Sequence, residues 1–160
     1  MKDPKSLVYL DESGIDDNEV YSYGWGLKGS RVYGMKNGDR QKRLSIVAAL
    51  NQKTIKAPLV FEGSCNRKVF EVYVEKVLIP ELKPGQTVIL DNASFHKGGR
   101  IIEMIESVQC QVLYLPAYSP DFNPIENHWA SIKNTMRKHL PLCGRDLYKA
   151  AEIAFQKVRP

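Results

Sequence analysis

The chain reads as a single α/β domain in which a mixed sheet, a three-strand antiparallel meander plus parallel strands, is flanked by helices. Three observations carry this reading. Short apolar runs punctuated by turn residues fill the first half, apolar positions at helical spacing alternate with four-residue apolar runs after residue 66, and no linker divides the 160 residues. A core over about residues 6–140 and a C-terminal helix over about 144–158 are expected within one domain, 1–160.

The elements follow in order. The run Leu7-Val-Tyr-Leu10 is a short buried strand ending at Asp11, with Gly14, Asp16, Asp17 and Asn18 as breakers. Residues 20–25, 29–33 and 44–50 follow as strands, parted by Gly26 and by Lys36-Asn-Gly-Asp39, whose Asn37-Gly38 is a strong hairpin signal. An antiparallel meander of about three strands, starting with the one that ends at Asp11, is the economical reading. Asn66 or Ser64 then caps a helix whose Val69, Phe70, Tyr73, Val74, Val77 and Leu78 fall at helical spacing, and Pro80 stops it. A strand at 87–90, a helix at 98–107 carrying Ile101, Ile102 and Ile105, and a strand at 112–115 complete an alternation that implies parallel pairing.

The proline-rich stretch 116–124 cannot continue a central strand and reads as a rigid loop delivering the next helix. From Ile125 to Leu140 the apolar residues Ile125, Trp129, Ile132, Met136 and Leu140 form one stripe. Glu126, Lys133 and Arg137 share an edge roughly 80° from its centre, at the border between buried and wet. A solvated helix face is the ordinary reading of such charges; the position of Glu126 directly after Pro124 is the reason to weigh another.

The composition narrows the function classes. A net charge of +5 suits a polyanionic partner. Three cysteines, Cys65, Cys110 and Cys143, form no Cys-x-x-Cys pair, which argues against a zinc knuckle or disulfide framework and for a reducing cytoplasm. No apolar stretch approaches the ~18 residues of a membrane span, and the first residues lack the apolar run of a signal peptide, so no membrane partner is expected. Asp11 and Asp91 end apolar runs and Glu126 opens a helix. Three carboxylates at element ends of a basic chain point to a divalent-metal site acting on a polyanion.

Two long motifs make the pattern specific. Leu90-Asp91-Asn92-Ala93-Ser94-Phe95-His96 and Leu115-Pro116-Ala117-Tyr118-Ser119-Pro120-Asp121-Phe122-Asn123-Pro124-Ile125-Glu126-Asn127-His128-Trp129 stand in order, with 34 residues between Asp91 and Glu126. With Val8-Tyr9-Leu10-Asp11-Glu12-Ser13 ahead of them, the chain from about Leu7 to Leu140 resembles the catalytic domain of bacterial insertion-sequence transposases of the Tc/mariner superfamily. That family of Asp-Asp-Glu (DDE) enzymes has a ribonuclease H-like fold. Weaker matches are Gly24-Trp25 with Lys28-Gly29, and Gly63-Ser64 leading into the helix at Asn66.

The resemblance implies that Asp11, Asp91 and Glu126 are the catalytic carboxylates and the metal ligands, holding two Mg²⁺ ions, or Mn²⁺ as substitute. It implies DNA strand cleavage followed by strand transfer, with transposon ends and target DNA as partners. A homodimer, or assembly with a chain carrying a DNA-binding region, is expected. Lys133 and Arg137 beside the site, with Arg43 and Lys42, are the expected phosphate contacts. Smaller expectations concern Trp25 as a base-stacking residue or core group, His96 and Asn92 as orienting groups, and Glu12 and Asp121 as rim acids. Because the first acidic strand begins by Ser6, the helix-turn-helix region that relatives carry ahead of it is expected to be absent. The alternatives are a catalytically inactive remnant that binds DNA or a partner, and a structure-selective nuclease of the same fold.

Overall fold

The computed structural model describes residues 3–16, 43–117 and 119–158. Its strands are β1 (Leu7–Asp16), β2 (Arg43–Asn51), β3 (Thr54–Glu62), β4 (Thr87–Leu90) and β5 (Gln111–Tyr114), arranged as one sheet in the order β3-β2-β1-β4-β5. The pairs β1–β2 and β2–β3 are antiparallel, while β1–β4 and β4–β5 are parallel. The mixed sheet expected from the sequence is present. Its composition differs in three places.

The strands expected over 20–25 and 29–33, and the turn at Asn37-Gly38, lie outside the described residues. The third strand of the meander is β3, which the sequence reading passes over because Pro58 interrupts its alternation. β3 lies at the sheet edge, where a missing N–H costs least. Its pairing with β2 also slips between Val47 and Ala49, and beside this irregularity Ala57 takes a positive φ of 49°. The second difference is the length of β1. Gly14 and Asp16 do not break it, because its ladder with β2 runs from Val8 to Asp16 and the paired backbone outweighs local turn preference. Asp11 therefore sits in mid-strand, opposite Ala48, and not at a strand end. Third, β5 starts one residue earlier than expected.

Four helices cover the sheet: α1 (Arg67–Tyr73), α2 (Gly99–Ser107), α3 (Ile125–His139) and α4 (Leu147–Val158). Asn66 caps α1 through its side chain, which accepts from the Val69 N–H at 3.1 Å. The helix tightens past Val74–Leu78 into a last turn, Ile79–Glu81, where Pro80 ends it. On one face of the sheet Ile15, Leu44, Ile46 and Leu50 pack against Ile125, Trp129, Ile132 and Met136 of α3 and against α4. On the other, Leu10, Val47 and Ala49 meet Phe70 and Tyr73 of α1 and Ile101 and Ile105 of α2. All five stripe residues of α3 are buried. Covered on both faces, β2 is buried almost throughout.

Strand alternation then sorts the two neighbouring acids of β1. Asp11, opposite Ala48, shares the α3 face; Glu12, opposite Val47, shares the α1 face. Among the described residues no helix is long and apolar enough to cross a membrane.

The Tyr73 hydroxyl, fully buried, donates to the carbonyl of Ala57 at 2.9 Å and so satisfies the irregular backbone of β3 from α1. Tyr73→Phe should destabilise the domain by about 1–2 kcal/mol, the cost of stranding a buried carbonyl. Urea unfolding that shows no shift in midpoint would reject this account.

Candidate active site

Asp11, Asp91 and Glu126 line one cleft of about 370 Å³, together with Asn92, Ala93, Leu115, Pro116, Ala117, Ser119 and Asn123. The cleft forms where the carboxyl end of β4 meets β1, and its far wall is the loop entering α3. Parallel pairing of β1 with β4 explains why two acids 80 residues apart in sequence reach the same place.

Asp11 is buried, with only 7% of its surface exposed. Its Oδ2 accepts from Trp129 Nε1 at 3.0 Å, a bond from α3 to the middle of the sheet. Burial pushes its pKa up to about 6, against the opposing pull of the Trp129 bond and the Glu12 backbone N–H; the charges of Glu126 and Asp91 raise it further. A carboxylate in that position carries a charge that its surroundings do not fully compensate.

Asp91 follows β4 directly and is half-exposed. Its Oδ1 accepts from the Ala93 N–H at 3.0 Å and from His96 Nδ1 in a very short contact. The His96 bond holds its pKa below the usual carboxylate range, with burial opposing and the Ala93 bond assisting. His96 itself is buried, and its Nε2 has no hydrogen-bond partner among the described residues. The short turn Ser94–His96, closed by His96 N–H to the Ala93 carbonyl at 3.1 Å, is what folds the ring back onto Asp91.

Glu126 is exposed in the first turn of α3. Asn123, buried, starts that turn. Its backbone carbonyl accepts from the Glu126 N–H at 3.2 Å, and its side chain faces the Ile125 N–H. With Pro124 at the helix entry, the loop holds the backbone of Glu126 while its side chain stays exposed.

The remaining sequence-expected residues are dispersed. Lys133 and Arg137 lie further along α3, and Arg137 donates to Asn134 at 3.1 Å. Arg43, at the start of β2, lies over Gly14, where a side chain would come within 2.8 Å of the guanidinium. Lys42 and Trp25 lie outside the described residues. Asn92 lines the cleft. His128 Nδ1 lies 3.3 Å from the Pro124 carbonyl and turns to its own helix. Asp121 is exposed on the loop. Glu12 leaves the cleft for the α1 face, where burial raises its pKa against the lowering effects of Cys65 and the His96 ring. All three cysteines are unpaired. The sequence reading places Trp129 in the core stripe and, with Asn123, in the second motif, without a role in the cleft; the buried-indole rule, that such an N–H finds a polar partner, is the available signal for Trp129.

The donor set is all oxygen, as a hard divalent cation prefers. Among the described residues, however, no three Asp, Glu, His or Cys side chains stand close enough together to hold a metal ion as they are.

A sheet of this order, with helices on both faces, defines the ribonuclease H-like fold shared by transposases and integrases. The chain belongs to the DDE superfamily endonucleases, whose family model matches residues 6–147. It is similar to the insertion element IS630 uncharacterized 39 kDa protein of Shigella sonnei, 27% identical over 136 residues, which are 83% of this chain and 39% of that protein. The chain thus spans well under half the length of that relative.

Among solved structures, the Mos1 strand transfer complex matches with a TM-score of 0.63 at 18% identity, covering 97% of this chain and 52% of the Mos1 chain. The mariner Mos1 paired-end complex with Mg matches at 0.65 and 16%, covering 97% and 54%. The catalytic core domain of BIV integrase matches at 0.58 and 11%, covering 94% and 81%. The family expected from the two motifs is the family found.

The raised pKa of Asp11 carries a stability consequence. An acid whose folded pKa lies above its unfolded value costs stability once pH exceeds the unfolded value, and the full cost is reached above the folded one. For Asp11 the window runs from the ordinary aspartate value of 3.8 to about 6. In chelator at pH 7.5, Asp11→Asn, which keeps an acceptor for Trp129, should therefore raise stability by about 1–3 kcal/mol, and the gain should vanish by pH 3.5. Thermal unfolding of both proteins at the two pH values checks this; a destabilised variant at pH 7.5 contradicts it.

Proposed function

We propose that this chain cuts and joins DNA strands at the ends of a mobile element, with Asp11, Asp91 and Glu126 as its catalytic carboxylates and as ligands of two divalent cations, Mg²⁺ or Mn²⁺. One observation carries the reading: three carboxylates from β1, from the end of β4 and from the start of α3 line a single cleft, and the buried member of the three is left undercompensated. Family membership and the oxygen-only donor set support it. The solved Mos1 complexes with Mg and with Mn support the choice of ion.

Divalent cations bound there would supply Lewis-acid stabilisation of the attacking and leaving oxygens of an in-line displacement at phosphorus. The chain's own residues do the rest. Asp11 and Asp91, held by the sheet, form the fixed side of the site, and Glu126, exposed on the first turn of α3, swings to complete it. Closing over a cation relieves the repulsion that Asp11 receives from Glu126 and Asp91. The walls formed by Pro116, Ala117 and Ser119 position the scissile strand. Water attacks first, freeing a 3′-hydroxyl, and that hydroxyl then attacks target DNA. No covalent protein intermediate is needed.

The DNA itself is proposed to contact Lys133 on α3, Arg137 after its bond to Asn134 is exchanged for phosphate, and Arg43 at the start of β2, together with Lys42, which lies outside the described residues. We also take the chain to be one catalytic domain that draws sequence recognition from a DNA-binding region upstream or on a partner chain, working as a homodimer or such an assembly.

The decisive experiment incubates labelled transposon ends with the chain, with and without an upstream DNA-binding region, in Mg²⁺ or Mn²⁺. Asp11→Asn, Asp91→Asn and Glu126→Gln should each abolish cleavage while circular dichroism shows an intact fold; full activity of any one with Mg²⁺ rejects its assignment. DNA affinity should fall steeply between 50 and 200 mM salt, by about 10³-fold for six phosphate contacts. Lys133→Ala and Arg43→Ala should each flatten that slope by about one. A salt-independent affinity counts against the electrostatic path.

A further inference from the structure

Asp11 and Asp91 share a feature that the proposed chemistry does not by itself require. Each has one carboxylate oxygen engaged by a ring nitrogen, and the two rings come from opposite layers of the fold. Trp129 Nε1 reaches Asp11 Oδ2 at 3.0 Å from the α3 face. His96 Nδ1 meets Asp91 Oδ1 from the core that contains α1. An indole nitrogen only donates and an ionised carboxylate only accepts, so both bonds run from ring to acid. At Asp91 the Ala93 N–H falls on the same Oδ1, which leaves Oδ2 to the cleft.

The two rings are themselves held firmly. Trp129 is 3% and His96 1% exposed. The His96 ring packs 4.3 Å from both Phe70 and Phe95, measured between centroids, and its carbonyl accepts from the Tyr114 hydroxyl at 2.8 Å. That is far more packing than a histidine needs merely to fill a turn. An aspartate's terminal torsion is broad, whereas a metal ligand has to be held within about 0.5 Å.

We propose that Trp129 and His96 are positioning residues, each locking one oxygen of a sheet acid so that its other oxygen is presented to the cleft as a cation ligand. The inference rests on the metal-site reading above. Within it, Asp11 and Asp91 form a preset half-site and Glu126 is the ligand that adjusts.

The test is calorimetric titration of MnCl₂ into the full chain, freed of metal, beside its thermal unfolding without metal. Trp129→Phe and His96→Phe keep an aromatic ring but remove the donor; each should weaken Mn²⁺ binding by about 10–100-fold. His96→Asn, whose amide can donate from a place close to that of Nδ1, should recover most of the His96→Phe loss, a rescue that a purely structural role does not give. Wild-type affinity in both phenylalanine variants overturns the proposal, as does an Asn variant no better than Phe. If His96→Phe does not fold, Trp129→Phe and the comparison of His96→Asn with wild type decide by the same criterion: unchanged affinity in Trp129→Phe, or an Asn variant weakened a hundredfold, overturns it. Asp91→Asn separates the two layers of the argument. Equal Mn²⁺ binding by wild type and Asp91→Asn sinks the metal site itself, whereas loss in Asp91→Asn with retention in the ring variants sinks only the positioning roles.

Discussion

One hydrogen bond ties the packing of this domain to its chemistry: the indole N–H of Trp129 on the carboxylate of Asp11, between residues 118 positions apart. Trp129 belongs to the buried stripe of α3, so the apolar burial that seats the helix also sets the indole. A buried indole brings large apolar area and one donor that needs a partner. The partner supplied is an acid on the central strand of the sheet. Glu126 stands three residues before Trp129, on the neighbouring turn of the same helix, so anchoring the tryptophan also fixes where Glu126 emerges. Moving α3 would cost core and cleft together.

Electrostatics divides the two sheet acids despite their shared cleft. Asp11 is pushed up to about 6 chiefly by burial, while Asp91 is drawn down chiefly by His96. Each environment is built by a different layer: α3 covers Asp11, and the turn after Asp91 folds His96 back from the α1 side. A chain selected for stability alone would place an apolar residue at position 11, beside Ala48 and Trp129. Such a local conflict with good packing is the signature expected of a functional position, where stability is given up for chemistry. The net charge of +5 suits the same reading, since it favours a polyanion over the acids it must approach.

The parts of the fold legible in the sequence are those governed by local pattern. The stripe Ile125, Trp129, Ile132, Met136 and Leu140 appears in full, as do the Asn66 cap and the Pro80 stop of α1. β3 was illegible because its proline is acceptable only at a sheet edge, and edge status is a property of strand order. β1 was read too short because Gly14 is a breaker by propensity and a paired residue by partnership with Ser45. In the cleft, Asp11, Asp91 and Glu126 were marked by sequence motifs. The donors that hold two of them, His96 and Trp129, close the same two motifs, but which acid each ring would meet was not legible, because that pairing depends on how distant elements pack.

The sequence by itself determined the class of domain, its helices and the identity of three acids, because periodicity, capping and motif spacing act over a few residues at a time. Tertiary structure decided what those acids are to one another. Strand order put β1 beside β4, alternation turned Asp11 toward α3 and Glu12 away from it, and packing delivered one ring nitrogen to each sheet acid. Burial and hydrogen-bond partners are relations between distant segments, and only the closed fold sets them.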